Sequence, residues 1–142
     1  MSLNGVINTA AVRDEGTTIS YVPLAYPAVA DRHVVDALAR AAKKLGYNFA
    51  EGITHSKDAF YAEIEPDNMP NSDYVKSRWQ AWERSNVMCS EMEAAAIFIV
   101  SSIRNCRASA VMAYKKVNLQ AAMETAIEGL RILIEEDKKL GR

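Results

Sequence analysis

Apolar positions alternate along the chain between short continuous runs and longer stretches with helical spacing. Val6 to Val12 is rich in small and β-branched residues and alternates poorly, which predicts a strand covered on both faces. Arg13-Asp14-Glu15-Gly16 reads as a turn, Thr17 to Val22 as a short strand, and the stretch holding Pro23 and Pro27 as a loop. Asp31 then caps a helix to about Leu45, ended by Gly46, with Val34, Val35, Leu38, Ala41, Ala42 and Leu45 on one face and Lys43 and Lys44 in the last turn. Phe49 to Thr54 predicts a second strand that continues towards Phe60, and Glu63 to Asn71, polar and interrupted by Pro66 and Pro70, a loop. Ser72 or Asp73 opens a helix through Arg84, whose Trp79 and Trp82 pack against the sheet. Val87 to Cys89 is the next strand. A helix to Asn105 follows, with no polar face and therefore buried on nearly every side. Arg107 to Tyr114 is a strand. Asn118 caps a final helix from Leu119 to about Leu140, with a stripe of Ala122, Ala126, Ile127, Leu130, Leu133 and Ile134 and a solvated tail of Glu135, Glu136, Asp137, Lys138 and Lys139.

Strands alternating with helices predict a single α/β domain over 1–142, with a largely parallel sheet and helices on both faces. A chain of 142 residues is long enough for one real core. The net charge of −1 makes no electrostatic case for nucleic acid or an anionic membrane surface, and no apolar run is long enough to span a bilayer. Cys89 and Cys106 fall in apolar segments and read as reduced core thiols of a cytoplasmic chain. Their spacing is not that of a zinc site, and His33 and His55 do not complete one.

Candidate chemistry concentrates in Ser90-Glu91-Met92-Glu93-Ala94-Ala95-Ala96, where two carboxylates stand at the mouth of the most apolar helix. Carboxylates before a helix start can accept its free backbone N–H groups. Alternatively, Glu91-Met92-Glu93 lies at the carboxyl end of the Val87–Cys89 strand, where open α/β sheets bind ligands. A carboxylate there can accept hydrogen bonds from two neighbouring sugar hydroxyls.

The same segment resembles the ribose-binding motif of the nucleoside phosphorylases, in particular the uridine phosphorylase branch. Ile7 to Gly16 is similar to the strand and turn that precede that family's second half, Pro23 to Asp31 to its following loop, and Lys57-Asp58-Ala59-Phe60-Tyr61 to its base-site segment. The resemblance implies a three-layer α/β/α domain around a mixed, mostly parallel sheet, truncated at the amino terminus. It implies phosphorolysis of a nucleoside to free base and ribose 1-phosphate, with phosphate as co-substrate and no metal or organic cofactor. The implied partners are nucleoside, phosphate and further copies of the chain, as a dimer or hexamer. By resemblance Glu93 accepts from the ribose hydroxyls, Met92 packs against the sugar, Glu91 lines the same pocket, Phe60 lies against sugar and base, and Tyr61 stands beside it. By residue type alone Met92 is core filler, and Phe60 and Tyr61 end a strand.

Two parts of the family pattern are missing. The glutamine and arginine that read uracil in the bacterial uridine enzymes are absent from Ala62-Glu63-Ile64-Glu65-Pro66, which leaves the base open, and the link from Tyr114-Lys115-Lys116 to the last helix is short. The glycine-rich phosphate loop and its arginines belong to an amino-terminal half that these residues do not include, and Arg13 is the one tempting substitute. Lys115 and Lys116 read as solvated turn residues. A nucleosidase using water, a catalytically silent nucleoside-binding or assembly domain, and a structural α/β domain are the competing readings.

Overall fold

The computed structural model describes residues 2–141. The strands are β1 (Gly5–Asp14), β2 (Ala28–Val29), β3 (Phe49–Lys57), β4 (Val87–Glu91) and β5 (Ala110–Ala113). The helices are α1 (Arg32–Leu45), α2 (Phe60–Ile64), α3 (Ser72–Arg84), α4 (Ala94–Ile103) and α5 (Leu119–Leu140). One sheet runs β2-β1-β3-β4, with β1, β3 and β4 parallel; β2 and β5 pair antiparallel with β1. β5 lies along Gly5 to Asn8 and β2 along Ala10 and Ala11. This mixed, mostly parallel sheet between helices agrees with the three-layer α/β/α expectation.

The core joins Ile7 and Ala11 of β1 to Val35, Leu38 and Ala42 of α1 and to Ala94, Ala95, Phe98 and Ile99 of α4. α1 forms as its sequence demands. The Asp31 carboxylate accepts from the backbone N–H groups of His33 and Val34, and Gly46 closes the helix with a φ of 76°. Trp79 and Trp82 of α3 pack over His55 of β3, with ring centroids 6.2 and 5.7 Å away.

Several expectations need correcting. β1 continues through Arg13 and Asp14, and Thr18–Ser20 is a 3-10 turn rather than part of a strand. The cause is side-chain capture of the loop backbone. Arg13 donates to the carbonyls of Val22, Pro23, Leu24 and Tyr26, and the Glu15 carboxylate accepts from the N–H groups of Thr17 and Thr18. β3 stops at Lys57, so Phe60 and Tyr61 begin a helix instead of ending a strand. Part of the expected Glu63–Asn71 loop is helical, with α2 reaching Ile64 and a 3-10 turn over Pro66–Asn68. α4 is not buried all round: Ile97 and Ile103 are 45% and 43% exposed. Cys106 is exposed, whereas Cys89 is partly buried, which pushes its thiol pKa up. Asn118 makes no capping bond; its amide donates to the Tyr114 carbonyl and accepts from Asn4.

Of the two strand glycines, Gly5 has the less room for a side chain. A Cβ there would sit 1.8 Å from the Met112 carbonyl oxygen, whereas one at Gly52 would meet the Met88 sulfur, the end of a flexible side chain. Gly5→Ala is expected to cost about 3 kcal/mol and Gly52→Ala under about 1 kcal/mol, read from urea unfolding midpoints.

α5 is clamped to the α1 end of the fold by ion pairs and a phenol. Lys44 Nζ lies 2.6 Å from Glu128, Arg40 2.8 Å from Glu136, and the Tyr47 hydroxyl donates to Glu124. The hydrogen bond from Lys44 holds Glu128 below the ordinary carboxylate range, and that from Tyr47, helped by Gln120, does the same for Glu124. Folded-state pKa values below the unfolded ones give stability that is present above the ordinary glutamate range and lost as pH falls through the depressed values. Combining Lys44→Met with Tyr47→Phe should therefore flatten the fall in melting temperature below about pH 4.5, checked by thermal melts across the acid range.

Candidate functional site

Strand alternation at the end of β3 sends Thr54 and Ser56 to one face and His55 and Lys57 to the other. All four are buried. Parallel pairing places β4 beside them, with His55 opposite Ser90 and Ser56 opposite Glu91. Each face must then satisfy its own polar groups.

On the α4 face, the Glu91 carboxylate receives four donors. Oε1 accepts from Thr54 Oγ1 at 3.2 Å and Ser56 Oγ at 2.5 Å, and Oε2 accepts from the backbone N–H groups of Glu93 at 2.6 Å and Ala94 at 2.5 Å. Ser56 Oγ also accepts from the N–H of Ala95 at 2.9 Å. The first amides of α4 are thus occupied by protein groups and are not free to hold an anion. Of the two acids, Glu91 has taken the capping role, while Met92 and Glu93 stay exposed in the turn, and Glu93 Oε2 accepts only at 3.1 Å from the Met92 N–H.

The opposite face carries a network that the sequence reading missed. His55 Nε2 lies 2.8 Å from Asp14, which also pairs with Arg78. Lys57 Nζ donates to Ser90 Oγ at 2.9 Å and lies 3.2 Å from Glu63 Oε2. An imidazole with its proton on Nε2 donates to Asp14 and leaves Nδ1 to face Ser90 Oγ at 3.3 Å. A cleft of 380 Å³ lies between these groups and α3, bounded by Asp14, Lys57, Glu63, Arg78 and Trp82. The sequence signal for it was the run of four consecutive polar residues, Thr54-His55-Ser56-Lys57, at the end of an otherwise strand-like segment.

Phe60 and Tyr61 open α2, 50% and 68% exposed, with their rings edge to face at 5.4 Å. The link from this aromatic pair to the Glu91–Glu93 turn runs through Lys57, whose Nζ is 6.0 Å from the Phe60 ring centre while bonded to Ser90. Asp58 ties the entry of α2 to the end of β1 by accepting from the Gly16 N–H at 2.9 Å. The Arg13 guanidinium is engaged within the loop that follows β1. Its Nε donates to Thr18 Oγ1 and both terminal nitrogens are spent on loop carbonyls.

No helix among the described residues is long and apolar enough to cross a membrane. Over 146 residues the sequence is 36% identical to the uridine phosphorylase of Treponema pallidum, covering 93% of this chain and 57% of that protein. It is 35% identical to the uridine phosphorylase of Thermococcus kodakarensis, covering 96% and 53%, and 33% identical over 106 residues to the guanosine phosphorylase of Halorubrum lacusprofundi, covering 75% and 39%. The chain spans about half the length of the curated uridine phosphorylases it matches. Residues 4–133 match the phosphorylase superfamily, and a match over that much of the sequence, on this sheet and this order of elements, means that the chain belongs to that family.

Proposed function

We propose that the chain is a single α/β domain of a nucleoside phosphorylase, corresponding to its carboxyl-terminal portion. The reaction is phosphate-dependent cleavage of a nucleoside, uridine or a close analogue, to free base and ribose 1-phosphate. The observation that carries this reading is the division of labour in Glu91-Met92-Glu93: Glu91 is consumed in building the turn, which leaves Glu93 as an exposed carboxylate at the carboxyl end of a parallel strand. The relatives named as uridine phosphorylases support the substrate class.

In the reaction the C1′–N bond breaks with its electron pair leaving on the base, and a phosphate oxygen forms the new bond to C1′. The sugar carries oxocarbenium character between the two events, so catalysis depends on holding it in line between base and phosphate. Glu93 accepts from two neighbouring ribose hydroxyls and fixes the ring, Met92 packs against the sugar, and Phe60 covers sugar and base with Tyr61 at its edge. Phosphate is the co-substrate, no metal or organic cofactor is required, and the phosphate ligands come from outside these residues. Assembly with further copies and a cytoplasmic setting complete the reading; unpaired Cys89 and Cys106 fit the latter.

The test is phosphorolysis by the full-length protein, with free base released only when phosphate is present. Base release at the same rate without phosphate would make it a nucleosidase instead. The two acids should separate: Glu93→Ala raises the nucleoside KM at least about tenfold with stability within about 0.5 kcal/mol of wild type. Glu91→Ala strands buried hydroxyl and amide donors and is expected to cost about 2–4 kcal/mol by urea unfolding.

A further inference from the structure

α2 carries Phe60 but has little to hold it in place. It is five residues long, none of them is buried, and no side chain caps it. A helix of that length is not stable by itself. Its position must be set by contacts to its neighbours, and one of these is made by a buried charge at the end of β3.

Lys57 is 8% exposed and reaches three elements at once. Its Nζ donates to Ser90 Oγ of β4 at 2.9 Å, lies 3.2 Å from Glu63 Oε2 of α2, and stands 5.6 Å from the Trp79 ring of α3. Ser90 in turn donates to the His55 carbonyl at 3.1 Å, so the β4 end of the link is fixed to the sheet. Glu63 Oε2 is buried and has no hydrogen bond of good geometry, so its charge is compensated chiefly through space by Lys57. Asp14, His55 and Glu63 bring ligand-type atoms within 4.8 Å of one another. With Lys57 against Glu63 and Arg78 against Asp14, however, the two carboxylates already face two cations, so the group is a charge network rather than a metal site.

We propose that Lys57 is a positioning residue that clamps α2 to β4, and so sets the distance between Phe60 and Glu93, the two walls of the nucleoside site. The inference rests on the nucleoside reading of those two residues. Lys57 acts through Glu63 on one side and Ser90 on the other, and itself touches no substrate.

The experiment is amide hydrogen exchange and steady-state phosphorolysis on the full-length protein, comparing wild type with Lys57→Met, Lys57→Arg and Glu93→Ala. In Lys57→Met the α2 amides should exchange about tenfold faster while those of α1 and α5 keep their wild-type rates. The nucleoside KM should rise about tenfold and the phosphate KM stay within about twofold. Lys57→Arg, which keeps a cation within reach of Glu63, should recover most of both effects. Unchanged α2 exchange in Lys57→Met overturns the clamp, as do wild-type α2 amides that are already unprotected. Faster exchange in α1 and α5 alongside α2 would mean a general loss of stability and also overturns it. Glu93→Ala reports separately on the site: an unmoved nucleoside KM there sinks the functional reading, and the positioning role with it, even where α2 has loosened.

Discussion

The structure depends on one constraint, that a parallel strand ending inside the protein must satisfy polar side chains on both of its faces. β3 ends in Thr54-His55-Ser56-Lys57, four polar residues that are all buried. Leaving any of their donors unpaired would cost free energy comparable to the net worth of several hydrogen bonds. The protein answers with one carboxylate on each side: Glu91 collects the hydroxyls of Thr54 and Ser56, and Asp14 collects His55. Lys57 is left to find Glu63 and Ser90. The positions of β4, α2 and the first turn of α4 follow from those pairings as much as from apolar packing.

The two acids of the turn could not have done the same job. Glu91 is in register with Ser56 and on its face of the sheet, so its side chain is drawn inward to the strand hydroxyls and the α4 amides. Glu93 comes after the strand has ended and is the first residue before α4, where its carboxylate faces solvent. The carboxylate that builds the turn leaves the other exposed, and the two positions could not be exchanged without moving β4 in register.

Much of this was legible in the sequence because it is local. The Asp31 cap, the apolar face of α1 and the Gly46 stop act within a few residues of each other, and α1 came out where they place it. The motif around Glu91-Met92-Glu93 was legible as a pattern, and both chemical readings of it, cap and ligand acceptor, were available from residue type. What was not legible depends on partners far apart in the chain. The Thr17–Val22 stretch has strand-like residues, yet Arg13 and Glu15 capture its backbone, and that competition shows only once the loop has folded back. α2 carries no periodic signal in five residues and owes its place to side chains such as Lys57 and Asp58. His55, considered in the sequence only as a zinc ligand and set aside, pairs with an aspartate forty-one positions away.

The same pairings fix where charge is left free. A helix amino terminus and an arginine near a strand end are the usual means of holding an oxyanion. Here the first amides of α4 belong to Glu91 and Ser56, and the Arg13 guanidinium belongs to a loop. The buried Lys57 and the half-buried Arg78 face Glu63 and Asp14, so each cation at the cleft is matched by a carboxylate. These residues therefore present an exposed carboxylate at Glu93 and an exposed aromatic pair at Phe60 and Tyr61, while the helix amides and the Arg13 guanidinium that would suit an anion are already engaged. On the proposed reaction, the dianionic co-substrate draws its compensation from groups on other segments, and the sugar-binding and phosphate-binding parts of the site divide there.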